Sequence, residues 1–349
     1  MGERIIHISD ARQLCEKDED IEIIVAIKSE RIINEVMDEL HKTFHTGLRI
    51  HRYDDIQNKL EPVLIQNFYN QMKYQYKVSL EKYFDKWLEG VLDEVKYWIR
   101  HSVMDKEKWN EYYSNHKFRP YKWQNIERFL KEGSVVVEIG TGLYPYSGET
   151  LDSGEKISFV PIDALGPFYN QINARMCKSK IKEIQFGMFE FMSYFFAENH
   201  ADMIIINNAL DHCVDPFRSI IESLHILKTD ARMYLGHRRV EAVHEVWTGM
   251  HQWNMDYING DFVIWNRENA INVSQELKNV AEINVRCDDS IKNCSGQFIE
   301  VEIIKRDSFD SNKYIDRNQD AAIMMNCIGS FMKLYAEESK TFARWVAEI

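Results

Sequence analysis

A group of polar residues follows a strongly apolar segment in the stretch ADMIIINNALDH. The apolar part is rich in isoleucine, as expected for a buried strand. The polar residues that follow it are Asn207, Asn208, Asp211 and His212. Side chains at the end of a central strand of an open α/β sheet line the ligand crevice. This stretch is therefore the first candidate for a site, and a helix is predicted to begin after it at Asp215-Pro216.

A second candidate is the stretch SVVVEIGTG, which predicts a buried strand that ends in a tight turn. Gly140 and Gly142 would allow a ligand to approach the backbone closely. A dinucleotide is the poorer interpretation, because Tyr144 and the proline after it stand near where a GxGxxG motif would have its third glycine. Glu138 offers a carboxylate to a cationic amino group.

Two further acidic residues follow predicted strands. Asp163 ends the stretch ISFVPIDA, where an acidic side chain commonly binds ribose hydroxyls; it could equally hold a turn. Glu190 follows the next strand and could reach an adenine edge, or it could be a carboxylate in the first turn of a helix.

The elements that must position these residues alternate between strands and helices. The predicted strands are SVVVEIG, ISFVPIDA, KEIQFG, ADMIIINNA, ARMYLGH, VAEINVRCD and QFIEVEIIKR. Helices fall between most of them, and the last two strands should form a closing antiparallel hairpin. This pattern predicts a doubly wound α/β sheet.

Three other regions complete the predicted organisation. Residues 1–56 read as a partial βαβ unit, 57–131 as a helical region, 132–306 as the sheet domain and 307–349 as C-terminal amphipathic helices. The helical region carries an aromatic stripe that suits a core or a subunit interface, so a homodimer is predicted. The stripe consists of Tyr69, Met72, Tyr76, Leu80, Tyr83 and Trp87.

Together these stretches resemble the class I S-adenosylmethionine-dependent methyltransferases, over about half of the chain. The resemblance implies a Rossmann-like, seven-stranded methyltransferase sheet and S-adenosyl-L-methionine as cofactor. The NNALDH and HQWN stretches look more narrowly like methyltransferases of capsule and exopolysaccharide gene clusters. The residues that the resemblance assigns to the cofactor are Glu138, Gly140, Thr141, Gly142, Asp163, Ala164, Glu190, Asn207 and Asn208.

The acceptor is predicted from the segment after the fifth strand, which is longer than a methyltransferase core requires. Its tryptophan faces and amide edges suit a sugar or glycan precursor. The candidate substrate-binding residues are Trp247, Gln252, Trp253 and Asn254. Transfer to a hydroxyl oxygen needs a proton acceptor, and the candidate catalytic residues are Asp211, His212, His237 and His251. N-methylation of a small amine, or a silent cofactor-binding module that serves assembly, are the alternatives.

The composition of the chain argues against several classes of binding partner. The net charge of −12 disfavours nucleic acid and anionic membranes. No apolar run is long enough for a membrane span and the first residues are charged, so a cytoplasmic protein is expected. The six cysteines form no CxxC pair, and His237, Glu241 and His244 have helical spacing without an HExxH motif, so no metal is expected.

Overall fold

The chain forms two compact units, Met1–Gln71 and Met72–Ile349. A computed structural model describes residues 22–25, 49–52, 65, 72–104, 117–118, 125–145, 148–176, 182–287 and 297–347. In the first unit, strands β1 (Glu22–Val25) and β2 (Arg49–Arg52) pair in parallel. Parallel pairing is what the predicted βαβ unit requires; its predicted helix lies outside the described residues.

The second unit is built on the predicted seven-stranded sheet. Its strands are β3 (Val135–Ile139), β4 (Ser158–Asp163), β5 (Gln185–Phe186), β6 (Ala201–Asn207), β7 (Leu227–Arg238), β11 (Ala281–Cys287) and β12 (Phe298–Lys305). Their order is β11-β12-β7-β6-β3-β4-β5. All neighbours are parallel except β12, which is antiparallel to both β7 and β11. The doubly wound sheet and its closing hairpin are confirmed, with the switch in strand order beside β3.

Four longer helices accompany this sheet. They are α1 (Leu80–Met104), α2 (Gly166–Met176), α3 (Pro216–Ile226) and α6 (Asp320–Ala347). The predicted start of α3 is confirmed: the Asp215 side chain accepts a hydrogen bond from the Arg218 N–H at 2.9 Å, and Pro216 is the first helical residue. Among the described helices, none is both long and apolar enough to cross a membrane.

Core packing follows the two-residue period of the strands. In β6, Ile204 and Ile206 belong to one hydrophobic cluster, together with Ile220 of α3. Ile205, which points to the opposite face of the sheet, belongs to a second cluster with Ile126. A third cluster joins α1, α2 and α6, in which Phe331 and Phe342 of α6 are fully buried against Phe168 of α2. The C-terminal tail is therefore one helix that packs on the body of this unit. The predicted homodimer stays a prediction.

The helical prediction fails over Met72–Ser79, which is not helical. The Gln75 carbonyl accepts a hydrogen bond from the Ala270 N–H at 3.0 Å, and the Lys77 N–H donates to Asn269 Oδ1 at 2.8 Å. Because these backbone groups are bound to a distant segment, they cannot form the hydrogen bonds of a helix. The aromatic stripe is therefore broken, and Tyr76 lies outside helix α1.

The segment after β7 contains a second sheet that the sequence analysis does not predict. Its elements are the short helix α4 (Glu241–His244), the strands β8 (Asn254–Ile258), β9 (Asp261–Trp265) and β10 (Ala270–Asn272), and the short helix α5 (Val273–Leu277). The three strands form an antiparallel sheet in the order β10-β9-β8. The segment expected to be an insertion after β7 is thus a small three-stranded sheet with two short helices.

Candidate functional site

The loop after β3 carries two glycines with positive φ, Gly140 at +72° and Gly142 at +60°. A Cβ atom at Gly140 would lie 2.4 Å from the Ala209 Cβ. A Cβ atom at Gly142 would lie 2.9 Å from Cζ2 of Trp98. Both positions therefore require glycine, for conformation and for space. Thr141 between them is buried.

Asp163, at the end of β4, holds this loop. Its Oδ2 accepts a hydrogen bond from the Gly142 N–H at 2.9 Å, and its Oδ1 accepts one from the Leu165 N–H at 2.8 Å. Burial raises the pKa of Asp163 to about 6. Each carboxylate oxygen has a second lone pair, so both can still accept a ligand hydroxyl. Ala164 follows directly and is partly exposed.

Asn207, at the end of β6, has a buried side-chain amide. Its exposed fraction is 8%, and neither Oδ1 nor Nδ2 has a hydrogen-bond partner within the described part of the chain. A buried amide without partners is unfavourable by about 1–3 kcal/mol. Glu138, on the adjacent strand β3, is also buried. Such an amide needs a polar partner, which a ligand or a water molecule at the carboxyl edge of the sheet would supply.

Two predicted cofactor residues have structural partners. Oε1 of Glu190 accepts hydrogen bonds from the N–H groups of Val214 and Asp215, at 2.7 and 3.1 Å. Asn208 Oδ1 accepts from the Arg238 N–H at 2.8 Å. Glu190 lies in the first turn of a short 3-10 helix, Phe189–Tyr194, as the alternative interpretation had it, and its carboxylate also stabilises the start of α3. Asn208 joins the ends of β6 and β7.

The four predicted catalytic residues lie together. Asp211 is fully buried, and its two oxygens face different histidines. His237 Nε2 lies 3.0 Å from Oδ1, and His251 Nδ1 lies 2.6 Å from Oδ2. His212 Nε2 lies 3.1 Å from His251 Nδ1 and 3.6 Å from Asp211 Oδ2. We call these four residues the Asp211 cluster.

Ionisation in the Asp211 cluster is governed by these contacts. Burial alone would raise the pKa of Asp211, but the charges of His212 and His237 hold it well below its usual value. Burial opposes protonation of His251, yet the hydrogen bond that His251 donates to Asp211 raises its pKa to about 9. Asp211 raises the pKa of His237 in the same way, against the effect of burial. The Asp211 carboxylate therefore stabilises the protonated forms of His237 and His251.

His237 is enclosed, and both its nitrogens are occupied. Nδ1 lies 2.8 Å from the Arg238 carbonyl and Nε2 faces Asp211. Both neighbours are acceptors, so each nitrogen donates. Its side chain is 3% exposed, whereas those of His212 and His251 are 21% and 22% exposed. Only His212 and His251 can meet a substrate directly.

Helix α1 adds two residues that the sequence analysis missed. Glu94 Oε1 lies 4.0 Å from His212 Nδ1. The same oxygen accepts a hydrogen bond from Trp98 Nε1 at 2.7 Å, and Trp98 is the residue in front of Gly142. The only sequence signal is a glutamate between the buried residues Val91 and Val95, which is an unusual position for a charge.

The predicted substrate-binding residues differ in exposure. Trp253 and Asn254 are 1% and 0% exposed; Trp253 packs in the core, and Asn254 Oδ1 accepts from the Val243 N–H. In this structure they hold the insertion together and present no accessible surface. Gln252 and Trp247 are partly exposed, but the Gln252 amide donates to the Trp247 carbonyl at 3.1 Å.

The Trp247 ring is the aromatic surface that remains for an acceptor. Its backbone has φ of +57°, and the preceding Val246 has φ of +53°. A β-branched residue in this region is strained. The Arg267 guanidinium lies 4.9 Å from the ring centroid of Trp247. The ring also packs edge-to-face against Trp265, at a centroid distance of 6.0 Å, so this strained loop is held in one conformation.

The spacing of His237, Glu241 and His244 does not make a metal site in the structure. The Arg238 guanidinium lies 3.3 Å from Glu241 and 2.5 Å from His244 Nε2. A positive group already occupies the place where a cation would bind.

Comparisons with known proteins give no matching family model and no match among curated proteins. Among solved structures, the chain is similar to a SAM-dependent methyltransferase from Methanosarcina mazei (16% identity, 53% of this chain and 98% of that chain, TM-score 0.34). It is also similar to the N-methyltransferase NodS from Bradyrhizobium japonicum, in complex with S-adenosyl-L-homocysteine (11% identity, 50% and 79%, TM-score 0.33). A third is the CurJ carbon methyltransferase (16% identity, 50% and 49%, TM-score 0.35).

Proposed function

We propose that this chain is an S-adenosylmethionine-dependent methyltransferase that acts on a hydroxyl oxygen of a small polar acceptor, a sugar or glycan precursor. The observation that carries the proposal is the edge at which β3, β4 and β6 end. There the glycine loop and the Asp163 carboxylate stand beside the Asp211 cluster, together with the Asn207 amide, which has no hydrogen-bond partner among the described residues. A polar ligand site thus adjoins a set of groups that can move a proton.

These residues fit the cofactor. The free lone pairs of Asp163 suit ribose hydroxyls, and the Asn207 amide and Glu138 carboxylate suit the amino acid part. The cofactor, when bound, supplies a methyl group already activated on its sulfonium. The task of the protein is therefore to orient the acceptor and to receive its proton.

The Asp211 cluster is suited to this task. Buried His237 donates to Asp211 and fixes it, so that Asp211 in turn orients His251 through the 2.6 Å contact. The imidazoles of His212 and His251 are partly exposed and can reach an acceptor; His212 is assigned as the base, because His251, with its pKa raised to about 9, already carries a proton. A hydroxyl must lose its proton as the methyl arrives, whereas an amine needs less help. Three histidines around one carboxylate therefore favour a hydroxyl.

The acceptor class is inferred from the insertion. The Trp247 face can pack against the C–H groups of a sugar ring, and the neighbouring amide and guanidinium groups can bind its hydroxyls. N-methylation remains the alternative.

The first experiment is calorimetric titration with S-adenosyl-L-methionine and S-adenosyl-L-homocysteine. We expect Asp163→Ala to weaken binding ten-fold or more, which is about 1.4 kcal/mol. Asp202→Ala is the matched control, because Asp202 also accepts a backbone N–H, that of Val135 at 2.8 Å, but at the opposite edge of the sheet. Absence of binding to folded protein would overturn the cofactor assignment.

The second experiment tests the reaction. The protein, cofactor and a panel of sugars, nucleotide sugars and small amines are incubated, and products that gain one methyl are sought by mass spectrometry. We expect a methylated hydroxyl product, and we expect Asp211→Asn to abolish turnover while cofactor binding persists. An amine product would contradict the hydroxyl assignment.

A further inference from the structure

Three donor groups converge beside Asp211: Glu94, His212 and His251. One ligand atom from each lies within 4.8 Å of the other two. The separation of Glu94 Oε1 and His212 Nδ1 is 4.0 Å. This is too long for a hydrogen bond. Two ligands of a tetrahedral ion at about 2.0–2.2 Å are about 3.3–3.6 Å apart, so a small side-chain rotation would bring both donors onto one ion.

The three donors are two imidazole nitrogens and one carboxylate oxygen. Two imidazoles and one carboxylate form the 2-His-1-carboxylate combination that suits first-row divalent ions such as Zn²⁺, Fe²⁺ or Co²⁺. The sequence spacing gave no hint of it, because Glu94 is on α1, His212 follows β6 and His251 is in the insertion.

Neighbouring residues orient these donors as metal ligands require. Asp211 Oδ2 accepts from His251 Nδ1 at 2.6 Å, which leaves Nε2 of His251 as the nitrogen that can bind an ion once the ion displaces its proton. Trp98 Nε1 donates to Glu94 Oε1 at 2.7 Å and fixes that carboxylate. A carboxylate behind a ligating histidine is the usual arrangement in metal sites.

The three side chains are accessible but not loose. Their exposed fractions are 14% for Glu94, 21% for His212 and 22% for His251. Three protein ligands also leave at least one coordination position open, as in catalytic sites.

We propose that Glu94, His212 and His251 bind one divalent transition-metal ion, with Asp211 and Trp98 holding two of the ligands in place. This metal site is additional to the proposed methyltransferase activity, and its existence does not depend on that activity. One consequence does rest on the proposed function: with the ion bound, His212 and His251 are ligands and not bases, and an acceptor hydroxyl at the open position would lose its proton to water more readily, because the cation stabilises the alkoxide.

The test uses the full chain without a histidine tag, stripped of metal with a chelator. Co²⁺ is titrated in by calorimetry, and its visible absorption is recorded, followed by displacement with Zn²⁺. We expect one equivalent of tightly bound Co²⁺. Glu94→Gln and His212→Gln should each weaken binding ten-fold or more. Glu89→Gln, an exposed glutamate on the same helix, should leave it unchanged.

Circular dichroism and S-adenosyl-L-homocysteine binding are measured on the same samples. Folded wild-type protein that takes up no Co²⁺, or uptake that is equal in wild type and both variants, would overturn the proposal. Metal binding without cofactor binding would refute the proposed function and leave the metal site standing; the converse result would refute the metal site alone.

Discussion

Asp163 Oδ2, at the end of β4, accepts a hydrogen bond from the Gly142 N–H at 2.9 Å. One carboxylate thus fixes the loop after β3 and is also the predicted partner of the ribose. The charge of Asp163 should therefore control both the shape of the cofactor site and its hydrogen bonds.

We predict that affinity for S-adenosyl-L-homocysteine falls as the pH drops through about 6. Burial raises the pKa of Asp163 to about 6, so the acid is protonated below this pH and loses acceptor capacity. Well below the pKa, affinity should fall about ten-fold per pH unit. Calorimetry from about pH 8 to about pH 5 measures this, and Asp163→Asn should remove the dependence. A dependence that persists in the variant would contradict the assignment.

We predict that Asn207→Leu weakens cofactor binding without lowering the free energy of unfolding. Leucine has a similar shape and removes a buried amide for which the described part of the chain offers no partner, so the free energy of unfolding should stay the same or rise by about 1 kcal/mol. Cofactor affinity should fall at least ten-fold. Denaturant unfolding and calorimetry measure the two quantities.

Asn173→Leu is the control for that prediction. Asn173 is also buried, but its Nδ2 donates to the Leu143 carbonyl at 2.8 Å. The free energy of unfolding of this variant should be lower by about 1–3 kcal/mol. A comparable loss in Asn207→Leu would show that Asn207 has a structural role.

We predict that Gly142 and Trp98 are energetically coupled. Gly142→Ala introduces a Cβ atom at a φ of +60° and 2.9 Å from the indole. The conformational part should cost about 1–2 kcal/mol, and the steric part should disappear when Trp98 is replaced by alanine. A double-mutant cycle on unfolding free energy should give a coupling of about 1 kcal/mol. Strict additivity would mean that the indole moves aside freely.

We predict that His237→Leu lowers the free energy of unfolding by about 3 kcal/mol. The substitution removes a buried partner of the buried Asp211 carboxylate, 3.0 Å away, and one-sided removal of such a pair is strongly destabilising. His225→Leu removes a histidine that is only partly buried and lies near Ser311, and it should cost less than about 1 kcal/mol. Equal effects would argue against a structural ion pair.

The sheet could be predicted because each strand is an apolar run that ends at glycine or polar residues. The Asp211 cluster could be predicted for the same reason, since Asp211 and His237 are near the ends of adjacent strands. The non-helical course of Met72–Ser79 could not be predicted, because it depends on hydrogen bonds to residues almost two hundred positions away. Glu94 and Trp98 escaped notice because they lie within a long amphipathic helix, where their partners are set by tertiary packing alone.

Helix α1 brings Trp98 up to Gly142 and, one turn away, Glu94 towards His212. Since the two side chains share a hydrogen bond of 2.7 Å, a ligand that displaces the indole also frees the glutamate. In kinetic terms, the methyl donor and the acceptor would not bind in random order. We expect a compulsory order, in which the methyl donor, whose site includes the Gly142 loop that faces the indole, binds before the acceptor.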